Sequence, residues 1–235
     1  MVTKDAYKEL ETANFLKDEG LVQPSTPQQL ETRRRIVDFI REIDTARFML
    51  ALSFKQPGVD PYLDLFREKD FDNKFKHDFY RQYYLYSAVI WYHNCFDLIL
   101  QCLWFHYQLY GNKKFSTQLV KKSLRECDIK KVSPLLYNGD ENNPISLFKK
   151  SHKYVFDVAD GLKHRQYVAN ENYLLYAEAF TIQQTDYCSD ETKVNVRLKE
   201  LQTKLITFHK DIIALAKTIL IPIHDSIDNI LQDNV

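Results

Sequence analysis

The sequence predicts an all-α protein: an up-and-down helical bundle with four long helices, short accessory helices and a possible short extended arm. Three observations predict it. Apolar residues recur at three- and four-residue spacings over long stretches. Glycine is scarce, five in 235 residues, which argues against a turn-rich all-β fold. Capping and breaking residues stand at the ends of the periodic stretches.

Each element follows from that pattern. Residues 1–18 are expected to form a short helix, and Gly20 to Pro27 a loop. Ser25 or Thr26 can cap the next helix, with Pro27 in its first turn. That helix runs to about Phe54 on a stripe of Leu30, Ile36, Phe39, Ile40, Ile43, Ala46, Phe48, Leu50 and Ala51, and Pro57-Gly58 stops it. A short helix and a loop fill 58–76. A second long helix spans about Asp78 to Tyr110, ended by Gly111-Asn112. Its stripe holds Tyr83, Tyr84, Ala88, Trp91, Cys95, Leu98, Ile99, Cys102, Phe105 and Leu109, widened by five further aromatics. Such a helix is either central or covered by a second subunit. Residues 115–126 form a short helix capped by Ser116, followed by a loop. Pro144 opens a third long helix to about Arg165, with Ile145, Phe148, His152, Val155, Phe156, Ala159 and Leu162 inward. Residues 166–189 are ambiguous, with strand-like content at 173–182. Ser189-Asp190-Glu191 begins the last long helix, whose stripe is Val194, Leu198, Leu201, Leu205, Phe208, Ile212, Leu215 and Ile219. Pro222 kinks or ends it, and a tail helix covers 223–231. The chain is one domain over 1–235, with a core of about 27–222 and appendages at 1–26 and 223–235.

Composition bounds the function. Charged residues make up 27% and apolar ones 45%, the balance of a soluble globular protein. Lys+Arg and Asp+Glu are equal at 32 each, so net charge gives no support to wholesale nucleic-acid binding; a local basic patch stays open. No GxGxxG or GxxxxGK[ST] pattern occurs, and no cofactor is expected. Cys95, Cys102, Cys127 and Cys188 form no CxxC and read as buried thiols of a reducing cytoplasm. The N-terminus has no apolar leader, and charged or polar residues interrupt both of the most apolar stretches, so neither secretion nor a membrane span is expected.

No metal site is expected either. None of the seven histidines has an acid three residues before it, as a di-metal carboxylate bundle needs. His77-Asp78 and His224-Asp225 lack the further His and Asp that would complete a phosphohydrolase set. Two polar clusters remain. His93, Asn94, Asp97 and Gln101 interrupt the aromatic helix, and Asn94, Asp97 and Gln101 share a face. Asp160, Lys163, His164 and Arg165 close the third long helix, where cations offset the negative helix end. If Asn94 and Asp97 faced the second cluster, the carboxylate would orient His164 and raise its pKa, which suits a general base or a phosphate binder. A polar seam and a solvated helix end are the plainer readings of the same residues.

A long aromatic helix bearing Asn94 and Asp97, then a later helix ending in Asp160-x-x-Lys163-His164-Arg165, resembles the HEPN superfamily over roughly residues 30–220. The resemblance implies a helical bundle, often dimeric. Active members are metal-independent ribonucleases with an Arg four to six residues before a His. His164 matches that His, and Asp160 stands where a polar residue follows the Arg. Ala159 occupies the five-back position, and no Arg lies four to eight residues before His164. The expectation is therefore an HEPN-like cytoplasmic homodimer binding a nucleotide, RNA or a protein partner, such as a cognate antitoxin-like protein, through Lys163, His164 and Arg165. The alternatives are a toxin- or defence-type ribonuclease, with His164 as base and Lys163 or Arg165 as clamp, and a structural module with no ligand site.

Overall fold

A computed structural model describes residues 10–16, 26–54, 73–163, 168–170 and 194–232, with backbone alone at 73–79, 168–170, 194–196 and 228–232. Among the described residues the fold is all-α apart from one short strand pair. Its helices are α1 (Pro27–Leu52), α2 (Asn73–His106), α3 (Thr117–Glu126), α4 (Ile129–Tyr137), α5 (Pro144–Ser151), α6 (Lys153–Lys163) and α7 (Leu198–Gln232). Two three-residue strands, β1 (Val168–Asn170) and β2 (Val194–Val196), pair in parallel, Ala169 opposite Asn195. The strand-like content expected at 173–182 lies outside the described residues. Residues 10–16 hold one 3-10 turn, Asn14–Leu16, and not the expected helix.

α1 starts where its caps dictate. Thr26 N–H donates to Gln29 Oε1 at 3.0 Å and Gln29 N–H donates to Thr26 Oγ1 at 3.2 Å, a reciprocal capping box ahead of Pro27. Ile36, Phe39, Ile43, Ala46 and Leu50 form its buried face. Leu30 and Phe48, expected on that face, are each 58% exposed. Phe48 sits two residues from both Ala46 and Leu50, about 200° round the helix, and Leu30 is likewise out of step with the ladder from Ile36. Tyr83 on α2 is 59% exposed for the same reason, two residues from buried Leu85.

α2 stops four residues before the expected point. Gln108 takes the left-handed conformation (φ 51°) and Leu109 N–H donates to the Trp104 carbonyl at 3.0 Å, a closure of Schellman type. α4 occupies what reads in sequence as loop; Asp128 caps it, accepting from Lys131 N–H at 2.9 Å. The expected third long helix is broken at His152 into α5 and α6. The last helix begins at Leu198, not at Ser189, and continues through Pro222.

Two compact units are present. The first contains 1–10, 45–91 and 152–208. In it, the Phe208 ring meets His152 edge-on at 4.9 Å and lies 5.9 Å from Phe156. Buried Gln202 joins three elements: its Nε2 donates to Ser53 Oγ at 2.9 Å and to the Ser53 carbonyl at 3.2 Å, while Arg81 donates to its Oε1.

The second unit contains 11–44, 92–151 and 209–235. Here α2 is buried almost all round from Cys95 to Phe105, with Phe96 stacked on Phe148 at 5.4 Å. Fully buried His209 pins the N-terminal segment. Its Nε2 donates to the Glu11 carbonyl at 2.8 Å and its Nδ1 accepts from the Tyr92 hydroxyl at 3.0 Å. Lys217 adds an ion pair to Glu11 at 2.6 Å and lies over the Phe15 ring.

Candidate functional site

The α6 cluster begins on the last turn of that helix. Val158, Ala159 and Gly161 are buried, which turns Asp160 and Lys163 outward on one face, one turn apart. Lys163 is the final residue of α6. His164 and Arg165, the expected base and second cation, lie outside the described residues.

The α2 cluster belongs to the second unit. Asp97 Oδ2 lies 3.2 Å from Nδ1 of His93, four residues back on the same helix. The histidine this carboxylate holds is thus its helical neighbour, a pairing that i,i+4 spacing makes legible in sequence. Asn94 is half-buried one turn before Asp97. Gln101 completes the expected polar face, and its Oε1 is buried with no hydrogen-bond partner among the described residues. The structure therefore groups Asn94 with Asp97 and Asp160 with Lys163, each pair within its own unit.

The cysteines sit near the α2 cluster and are chemically quiet. Cys95, Cys102 and Cys127 are free thiols. Burial pushes the Cys127 thiol up to about 12, with Asp97 and Asp128 adding to it. Burial also raises Cys95, helped by Glu42, and raises Cys102, against which nearby Arg35 works. Cys188 lies outside the described residues. Arg35 is itself held on α1 by Glu31 and by Asp38 at 3.5 Å.

Among the described residues no three His, Cys, Asp or Glu side chains are grouped as a metal ion would require. His224 Nδ1 lies 3.9 Å from Asp225 within its dipeptide, and the side chain of His77 is not described. No described helix is long and apolar enough to cross a membrane.

Sequence reasoning missed two features. One is the Tyr92–His209–Glu11 chain, signalled by a histidine beside Phe208 and one turn before Ile212 on the α7 core stripe. The other is a concentration of lysine between 113 and 131, hidden by the neutral total. No family model matches the chain, and no curated protein or solved structure matches it significantly.

Proposed function

We propose that this is an HEPN-like helical binding protein whose ligand is a nucleotide or RNA, gripped by the cations that close α6. One observation carries the reading: the exposed turn of α6 on which Lys163 and Asp160 share a face, immediately before His164 and Arg165 in the chain. A phosphate is met there by adjacent basic side chains, and Asp160 supplies an acceptor for a ribose or base donor. A homodimer and a cognate antitoxin-like partner belong to the same proposal.

Calorimetric titration of nucleotides and short RNA tests it. We expect saturable binding that weakens at least about tenfold in Lys163→Ala/Arg165→Ala, the scale of one lost charge-assisted hydrogen bond. Binding that is absent, or unchanged in the double variant, ends the reading. RNA incubated with the protein in EDTA supplies the enzymatic arm. Cleavage that is lost in His164→Ala would replace binding by metal-independent ribonuclease activity. Blank assays together with a dimer in light scattering would leave an interaction module.

A further inference from the structure

The chain is neutral overall, yet residues 113–131 carry seven basic side chains against two acidic ones, a net of +5 that leaves −5 for all the rest. The basic residues are Arg125 and the lysine pairs 113–114, 121–122 and 130–131, all exposed. Segregation of this kind makes a local positive field that the total conceals.

The framework under these lysines is built. Lys113 and Lys114 lie on a turn closed by Gly111 N–H to the Gln108 carbonyl (2.9 Å) and Lys113 N–H to the Gly111 carbonyl (2.8 Å). Phe115 holds that turn down, its ring 6.4 Å from Phe105 and 6.2 Å from Tyr110. Ser116 caps α3, accepting from Leu119 N–H at 3.2 Å. Buried Leu119 and Ser123 turn Lys121, Lys122 and Arg125 outward. Two residues later α4 opens with Lys130 and Lys131 in its first turn.

Aromatic rings stand just before and just after this basic segment in the chain. Tyr107 is 54% exposed, with its ring set against His106 at 4.6 Å. Half-buried Tyr137 lies beside it: burial first, and Tyr107 second, push its hydroxyl above the ordinary tyrosine range. Tyr137 is seven residues after Lys130, so the two share a face of α4 about 10 Å apart along the axis.

We infer that the surface formed by Tyr107, the Lys113–Lys114 turn, α3 and α4 binds single-stranded nucleic acid, with phosphates on the lysines and bases stacked on Tyr107 and Tyr137. Exposed cations with an exposed ring at Tyr107 and a half-buried one at Tyr137 suit a strand with unstacked bases. A lipid surface fits less well, because Leu119 on α3 and Val132 on α4 are buried and exposed Leu135 on α4 is a single aliphatic side chain to insert. A protein partner fits less well too, since lysine is depleted at such interfaces. The inference takes its ligand class from the function proposed above, but not its site.

The test is fluorescence anisotropy with a labelled 12-mer of oligo(U) and its oligo(dT) counterpart, titrated across salt. Each phosphate neutralised on a single strand contributes a slope of about −0.7 in log affinity against log salt. Five phosphates give about −3.5. Lys121→Gln/Lys122→Gln/Lys130→Gln/Lys131→Gln should flatten the slope by two to three units, at roughly 0.7 per lost contact. Tyr107→Ala should weaken binding about tenfold without changing the slope, as loss of a stack does. These changes are exposed and should leave the circular-dichroism melt in place. Equal binding of both oligomers assigns the face to single strands in general; a preference for oligo(U) assigns it to RNA. No saturable binding, an unchanged slope in the quadruple variant, or equal competition by polyglutamate or anionic vesicles overturns the inference. Lys163→Ala/Arg165→Ala separates the two readings: if it keeps the full salt slope while its calorimetric signal is unchanged, the α6 site fails and this face stands.

Discussion

Removing one oxygen from Tyr92 should destabilise the second unit measurably. The Glu11 carbonyl can only accept, so His209 carries its proton on Nε2 and presents Nδ1 as a lone-pair acceptor. The Tyr92 hydroxyl is therefore the donor across 3.0 Å. Tyr92→Phe keeps the ring, and with it the edge-on contact to His209 at 5.8 Å between centroids. What it takes is the donor, in a place where both residues are fully buried. An orphaned buried acceptor costs about 1–3 kcal/mol. With a urea m-value of about 2–3 kcal/mol/M, a loss near 2 kcal/mol moves the unfolding midpoint by roughly 0.7–1 M at constant m. His209→Ala should cost more, about 3–5 kcal/mol, because it adds a cavity and leaves the Glu11 carbonyl without its donor. The decisive number is the coupling. In the His209→Ala background Tyr92→Phe should cost close to nothing, giving an interaction energy above about 1 kcal/mol. A single-variant cost below about 0.5 kcal/mol, or equal costs in both backgrounds, would refute the assignment of donor and acceptor.

Three further predictions follow from single sites. Buried Asn143 caps α5 by accepting from Ser146 N–H at 2.9 Å, while its Nδ2 donates to Ser133 Oγ at 2.7 Å and Ser146 Oγ at 2.9 Å. Asn143→Ala should cost about 2–3 kcal/mol in a urea melt, a lost cap plus stranded hydroxyls; a cost within 0.5 kcal/mol would contradict the cap. Burial holds His106 below its ordinary 6.5, so between that value and the depressed folded one the unfolded chain binds the extra proton. Its contribution is complete above about pH 6.5 and fades as pH falls toward the folded value. His106→Gln should therefore narrow the fall in urea midpoint from pH 7.5 to pH 5.5, and an unchanged fall would exclude the effect. With Cys188→Ser in place, a thiol reagent at pH 8 should label the native protein slowly and all three remaining cysteines at once in urea, since raised thiols supply little thiolate. A fast native label would contradict their burial.

Much of the fold was legible because burial imposes period. Leu198, Leu201, Leu205, Phe208, Ile212, Leu215 and Ile219 are all buried, as their spacing requires. Thr26 and Ser116 cap where their side chains can reach an orphaned N–H. The differences arise where local chemistry has no periodic trace. Inward residues run on through His152 in unbroken helical register, so the break between α5 and α6 leaves no mark in the pattern. Pro134 and two lysines hide α4, although Asp128 supplies its cap. Ser189-Asp190-Glu191 reads as a helix start, yet Leu201 N–H finds the Arg197 carbonyl and α7 begins at Leu198. Gln108 ends α2 in a conformation that glycine usually signals, and Gly111 nearby draws attention away from it.

The candidate site was less legible, for a reason that lies in how polar side chains choose partners. One reading turned Asp97 toward His164, far along the chain and outside the described residues; the histidine beside it is His93 on its own helix, at 3.2 Å. A partner four residues away is already positioned by the backbone, whereas a remote one must be brought there by the whole fold. Local pairings therefore set the starting point for any carboxylate in a helix, and only groups they leave over point to a remote site. Charge obeys the opposite logic. Ion pairs are short-ranged, but a field sums over its neighbourhood and is screened within about 10 Å. The relevant window is then a patch, not a chain. A total of zero is compatible with a +5 segment spread over a turn and the two helices that follow it, and it is the segment that a polyanion would meet.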